Sequence, residues 1–278
     1  VTDLLESFYY TGKVGILVTS VDYPAIGDID GDGDLDLLTF FGLGSYVEFH
    51  KNLSVEKYGT PDSLDFTLAD PCWGRFKESE GSNRITLNAP CPYESLKQEA
   101  SQRVPDDRHT GSTLLLLDLD HNGLMDLVLG DMDYPDLVAL YNGGTTDSAR
   151  MTAIDTAFPP GDPVRLFSFP AAFHIDIDHD GLKDLVAAPF DPALQTAENY
   201  ECAWYYRNTG TQETPQFSPV SRSFFRDRMM DFGSASHPVL FDMDGDGLTD
   251  LLVGNFGYYD SSWYYQAVLR SAYSSDIR

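Results

Sequence analysis

The stretch GDIDGDGDLDLLTF, Gly27 to Phe40, sets five aspartates within nine residues: Asp28, Asp30, Asp32, Asp34 and Asp36. Like charges this close repel one another, so the pattern asks for a cation among them. It recurs as DLDHNGLMDLVLG from Asp118, DIDHDGLKDLVAA from Asp176 and DMDGDGLTDLLVG from Asp242. In all four, positions one, three and five are Asp or Asn, position six is Gly, position nine is Asp and position ten is Leu. Position two is apolar each time: Ile29, Leu119, Ile177 and Met243.

Alternate oxygens converge when such a chain curls, and the glycines Gly33, Gly123, Gly181 and Gly247 stand where the curl calls for a positive φ. The candidate ligands are the side chains of Asp28, Asp30, Asp32 and Asp36, of Asp118, Asp120, Asn122 and Asp126, of Asp176, Asp178, Asp180 and Asp184, and of Asp242, Asp244, Asp246 and Asp250. The carbonyls of Asp34, Leu124, Leu182 and Leu248 at position seven complete each shell. At position seven the Asp34 carboxylate is surplus and is expected to face solvent. A flexible all-oxygen ring of six or more suits Ca²⁺; Mg²⁺ demands stricter octahedral geometry and keeps its waters. An EF-hand opens similarly but needs Glu at position twelve, where this chain has Thr39, Leu129, Ala187 and Val253. Apolar runs bounded by glycine flank the loops, such as STLLLL before and DLLVG after, and read as strands. Each ion therefore bridges a strand–turn–strand connection.

The loop starts are 90, 58 and 66 residues apart, a spacing that fits four-stranded units. After each of the first three loops comes an aromatic-rich strand ending in an Asn or Gly turn: YVEFHKNLS, LVALYNGGT and AWYYRNTGT. A further strand follows: SLDFTLAD, ARMTAIDTAF and PQFSPVSRSF. Four-stranded units that cannot bury both faces alone can do so by radial stacking, so the fold expected is all-β, a β-propeller of four-stranded blades. Repeats begin near 22, 112, 170 and 236. The long first interval places an insertion at 71–110, where Cys72 and Cys91, 19 apart, are expected to form a local disulfide. Cys202 is left over, and no CxxC spacing occurs. Val14 to Ser20, VGILVTS, reads as one more strand, left from an earlier unit or closing the ring. The chain stops where the fourth unit should supply its aromatic strand and Asn-Gly turn, and it has no initiator Met, so a segment of a longer protein is expected.

The formal charge is −26, and four Ca²⁺ return only about +8. That acidity opposes nucleic-acid backbones and anionic membranes. No run of about 18 apolar residues exists, so no membrane span is expected. Catalytic signatures are missing: no GxSxG, no HExxH, no Walker or dinucleotide glycine pattern. Six histidines occur. His121 and His179, at position four of their loops, read as exposed turn residues, and His174 and His237 as structural residues of inner strands. Trp204, Tyr205 and Tyr206, and the Tyr258–Tyr265 run, suit either sugar stacking or packing between blades, and packing is favoured.

The four loops and the aromatic-Asn strands resemble the calcium-binding FG-GAP repeats of integrin α-subunit propellers and the VCBS-type repeats of bacterial secreted proteins, over about 22 to 278. The RNTGT stretch (Arg207 to Thr211) is closer to the bacterial branch. The resemblance implies a propeller of about seven blades, structural Ca²⁺ at about four sites here, export, and a secreted or cell-surface role in adhesion with a protein or glycan as ligand. Two departures stand out: Ala187 to Pro189 replace the usual Gly after the third loop, and Asn122 leaves the second site with three carboxylates. A propeller scaffold or accessory module of a polysaccharide-degrading enzyme, and a component of a larger surface or secretion assembly, are the rival functions.

Overall fold

Leucine-rich runs such as Leu114–Leu117 and Leu127–Leu129 are apolar at every position because both faces of their sheets are covered. The computed structural model describes residues 4–9, 12–41, 45–79, 84–92, 111–166, 169–190, 201–225, 232, 236–265 and 268–274; from 258 onward only the backbone is described. The chain is all-β and divides into two units, 1–192 with 202–222, and 193–201 with 223–278.

In the first unit, a hairpin of β1 (Glu6–Tyr9) and β2 (Gly12–Gly15) is followed by β3 (Ala25–Gly27), β4 (Asp36–Phe40) and β5 (Val47–Asn52). Helix α1 (Ser54–Tyr58) and β6 (Phe66–Asp70) come next. The sheet order is β2-β1-β6-β5-β4-β3. Strands β3 to β6 form an antiparallel meander, and β1 adds to the β6 edge in parallel, Ser7 opposite Phe66. Of the strand expected over Val14–Ser20, only Val14 and Gly15 are in a strand, at the end of β2. The chain turns at β1–β2 instead, and Ile16 N–H bonds back to the Leu5 carbonyl. The apolar run Ile16–Val18 covers no core; Leu17 is 62% exposed.

Within the 71–110 segment lies a small hairpin, β7 (Phe76–Glu78) with β8 (Ile85–Leu87). Cys72 and Cys91 are disulfide-bonded, with Cα atoms 5.7 Å apart. Residues 93–110 lie outside the described residues.

The second sheet is a four-stranded antiparallel meander of β9 (Ser112–Leu117), β10 (Asp126–Asp131), β11 (Leu137–Asn142) and β12 (Met151–Phe158). The third repeats it with β13 (Pro170–Ile175), β14 (Asp184–Pro189), β15 (Trp204–Asn208) and β16 (Phe217–Ser221). In the second unit, β17 (His237–Phe241) pairs with β18 (Asp250–Gly254), and β19 (Tyr258–Tyr265) with β20 (Val268–Ser274). The strands β19 and β20 form a separate two-stranded sheet, and among the described residues no third strand joins β17–β18.

Side-chain alternation explains how the second sheet is held. Leu127, Leu129, Val138 and Leu140 pack with Leu38, Phe40, Val47 and Phe49 of the first sheet, joined by Trp73 and Phe76 from the inserted segment. Val128, Leu137 and Ala139, one position out of phase, pack with Ala172, Leu185, Ala187, Trp204 and Tyr206 of the third. The second sheet is thus the middle layer of a stack. At Gly130 a Cβ would lie 1.8 Å from the Pro170 carbonyl oxygen, so only glycine allows β10 to lie this close to β13.

The first strands of the three sheets come together. Tyr23, just before β3, donates its N–H to Ser112 O and accepts from Leu114 N–H. Residues of β3, β9 and β13, including Ala25, Leu115, Ala172 and His174, line one cavity of about 350 Å³.

Candidate metal centres

Each aspartate-rich turn joins two consecutive antiparallel strands: β3–β4, β9–β10, β13–β14 and β17–β18. The turns share one internal bonding scheme. The position-one carboxylate accepts the position-six N–H: Gly33 to Asp28 (3.1 Å), Gly123 to Asp118 (2.9 Å), Gly181 to Asp176 (3.1 Å) and Gly247 to Asp242 (2.9 Å). The position-five side chain accepts the position-seven N–H, from Asp34, Leu124, Leu182 and Leu248. Position-six φ values run from 82° to 99°, the left-handed region that glycine enters freely. Position four is left-handed too, which the sequence reading missed. Gly31 and Gly245 fill it in two turns, and His121 (59°) and His179 (61°) in the others.

The position-nine aspartates do more than close a shell. Asp36, Asp126, Asp184 and Asp250 accept the N–H of Ile29, Leu119, Ile177 and Met243 at position two. The other oxygen of Asp36, Asp126 and Asp184 accepts the N–H of Asn52, Asn142 and Asn208 on the third strand, at 2.7–2.8 Å. Those asparagines then fix the next turn: Asn142 Oδ1 accepts from Gly144 and Arg150, and Asn208 Oδ1 from Gly210 and Gln216. In the third sheet the Tyr205 hydroxyl also donates to Asp184, at 3.1 Å, and burial beside that carboxylate pushes the phenol up to about 12. The asparagines were legible in the sequence only as turn formers. Their position after an aromatic strand in KN, YN and RN was the available signal.

Carboxylate oxygens gather within 4.8 Å of one another in Asp28/Asp30/Asp32, Asp118/Asp120/Asp126, Asp176/Asp178/Asp184 and Asp242/Asp244/Asp246. Burial pushes Asp36 up to about 7 and Asp126 to about 6, with further raising by Asp30 and Asp34 and by Asp120 and Asp118. Asp30 Oδ1, Asp32 Oδ2, Asp34 Oδ1 and Asp176 Oδ1 are buried without a hydrogen-bond partner. Buried acceptors left unpaired are costly, and a cation relieves that cost. The donors are oxygens alone, a set for a hard divalent ion. These residues fit calcium.

The expectation that the Asp34 side chain faces solvent is wrong. It is 1% exposed, its Oδ2 accepts the Val55 N–H at 3.0 Å, and with Asp32 and Glu56 it forms a second acidic group. The cause is α1, which follows β5 only in the first sheet and covers the turn. Two basic side chains also reach the turns. Lys51 Nζ contacts Asp30 and Glu56 and stands 3.6 Å from Asp32. Arg207 bonds Asp178 through Nε at 2.7 Å and Asp180 through Nη2 at 2.8 Å. The Arg207 hydrogen bond holds the Asp180 carboxyl below its usual value.

Other candidates are closed. Trp204, Tyr205 and Tyr206 are buried, at 6%, 5% and 1% exposure; Trp204 and Tyr206 pack between the second and third sheets, Tyr205 reaches Asp184 of its own sheet, and none offers a sugar platform. Ser7, His50 and Glu48 lie in a row, Ser7 Oγ 2.9 Å from His50 Nδ1 and Glu48 3.4 Å from His50 Nε2. Ser7 and His50 have no exposed surface, so a substrate cannot reach them. His174 sits on β13 with its Nε2 unpartnered, and burial first, then Lys183, pulls it down to about 4. Among the described residues, no helix is long and apolar enough to cross a membrane.

No curated protein matches this chain. Among solved structures, one described as the structural basis of recognition of non-reducing terminal N-acetylglucosamine by an Agrocybe aegerita lectin aligns at 16% identity and a TM-score of 0.30. The alignment covers 88% of this chain and 64% of that one, so the chain spans less than two thirds of that lectin's length. A likeness at that level carries nothing over to this protein. A family model described as the FG-GAP-like repeat matches residues 176–253, from the third aspartate-rich turn through most of β18. That stretch is an FG-GAP-type repeat.

Proposed function

We propose that this protein is a calcium-stabilised binding module, a segment of a β-propeller of FG-GAP/VCBS-type blades, secreted or held at the cell surface. The observation that carries the reading is the recurrence of one acidic turn at the same place in four strand pairs, with partnerless buried oxygens on Asp30, Asp32, Asp34 and Asp176. The stack of three sheets, with β3, β9 and β13 lining one cavity, supports a propeller.

Side chains at positions one, three, five and nine, with the position-seven carbonyl, would hold each Ca²⁺. The ion would supply positive charge to carboxylates that otherwise repel, and so favour the folded turn. By linkage this adds about 2.7 kcal/mol per site at a hundredfold excess over Kd. The metal is structural, and ligand binding is the work of surfaces that the braced turns and loops hold in place. A protein or glycan is the ligand class.

Calorimetric titration of metal-free protein with CaCl₂, followed by melting with and without chelator, tests the metal. Heat of binding and a higher melting temperature in Ca²⁺ are expected; an unchanged melt after verified metal loss would refute it. A glycan panel and a pull-down, each run in Ca²⁺ and in chelator, then test ligand class. Turnover of a polysaccharide that a single point substitution abolishes would replace the binding module with an enzyme.

A further inference from the structure

The residue before the bracing asparagine differs between sheets: Lys51 before Asn52, Tyr141 before Asn142, Arg207 before Asn208. All three are on the third strand of their antiparallel meander, at one register relative to the position-nine aspartate. Lys51 contacts Asp30 and lies 3.6 Å from Asp32; Arg207 lies 2.7 Å from Asp178 and 2.8 Å from Asp180. Both therefore grip positions three and five of their turn, two of the oxygens a metal needs. In the second sheet the cation is replaced by a phenol, and the position-five Asn122 donates its Nδ2 to the Asn142 carbonyl at 2.8 Å.

We propose that Lys51 and Arg207 are tethered counter-ions that compete with Ca²⁺ for the first and third turns, while the second turn takes its ion with no basic side chain to displace. The proposal rests on the calcium reading above and adds to it a grading of the sites. Formal charge runs in the same direction: three aspartates give the second turn −3, and four aspartates with Lys183 and Arg207 give the third −2. The third turn must in addition break two charge-assisted bonds before a metal can use those oxygens. Lys51 is 25% and Arg207 48% exposed at the side chain, so each has room to swing into water once displaced. Without metal the same cations do part of the ion's work, relieving repulsion in the two turns that carry the most carboxylates among the first three.

The test uses the full chain, with Lys51→Met, Arg207→Met and the conservative Arg207→Lys, titrated with CaCl₂ and melted in chelator. The two Met variants should bind Ca²⁺ more tightly, by on the order of tenfold at the affected site. They should also melt at a lower temperature than the parent in chelator. Arg207→Lys should stay near the parent in both. A general loss of packing cannot produce this opposite movement of metal affinity and apo stability. Parent-like or weaker Ca²⁺ binding by the Met variants, with the parent itself binding Ca²⁺, overturns the counter-ion proposal alone. No Ca²⁺ binding by parent and variants overturns the calcium reading together with it.

Discussion

Replacing Asp184 by Ala should destabilise the protein even when no metal is present. The Asp184 side chain has no exposed surface, and it accepts from Asn208 N–H at 2.8 Å, Ile177 N–H at 3.1 Å and Tyr205 O–H at 3.1 Å. Truncation leaves the Asn208 N–H and the Tyr205 hydroxyl buried without an acceptor, and each costs about 1–3 kcal/mol. The Ile177 N–H is only part-buried, and water can meet it. A loss of about 2–6 kcal/mol follows, which lowers the melting temperature by roughly 4–24 °C at about 2–4 °C per kcal/mol. Tyr205→Phe removes one donor and leaves the carboxylate, so about 1 kcal/mol is expected. Asp178→Ala makes the contrast: its carboxylate is exposed and bonds Arg207, so in chelator it should cost under about 1 kcal/mol. The assay is chelator-treated melting followed by circular dichroism, repeated in Ca²⁺. If Asp184→Ala melts with the parent in chelator and differs only in Ca²⁺, position nine is a ligand alone and the bracing argument fails.

Two further outcomes follow from groups outside the ligand sets. Buried Asp131 is pushed up to about 7, by burial and then by Glu78, whose carboxylate also accepts from Ser112 Oγ at 3.0 Å. The folded protein keeps that proton while the unfolded chain releases it near pH 4, so this group's contribution to stability falls as pH rises from about 4 to 7 and is flat above. Asp131→Asn should remove that slope and stabilise the protein at pH 8, as read by urea denaturation across pH. His121→Gly should stabilise by about 1 kcal/mol, since only the left-handed backbone of residue 121 is at issue; a lower urea midpoint would contradict it.

The turns were readable in advance because their chemistry is local. Oxygen at alternate positions and glycine at position six suffice to curl eight or nine residues, whatever surrounds them. The four-stranded meanders were readable for a similar reason, since Leu114–Leu117 and Val138–Leu140 are apolar runs between clear turns. Tertiary covering was not readable. Nothing in GDGDLD says that α1 will close over Asp34, because that burial comes from residues 54–58. The apolar stretch Ile16–Val18 resembled a strand because a short run carries no sign of whether a neighbour will pair with it. The Tyr205 bond to Asp184 escaped for a related reason: a tyrosine in an aromatic strand can point to either face, and the bulge between Tyr205 and Tyr206 shifts the register there.

The fasteners of each acidic turn in the first unit come from within its own sheet. From Ser112 to Phe158 the chain contains the acidic turn, its brace at Asp126, the asparagine hung on it and the hairpin that the asparagine secures. Tandem duplication of such a segment delivers a copy with its turn scaffolding already inside, needing from its neighbours an apolar face and a few edge hydrogen bonds such as those of Tyr23 with Ser112 and Leu114. A copy whose turn residues differ, as with Asn122, can keep its shape, because Asp126 still holds the turn and the asparagine on the third strand. Lineages of such proteins are therefore free to lengthen, and to vary individual acidic turns one at a time, without redesigning the rest.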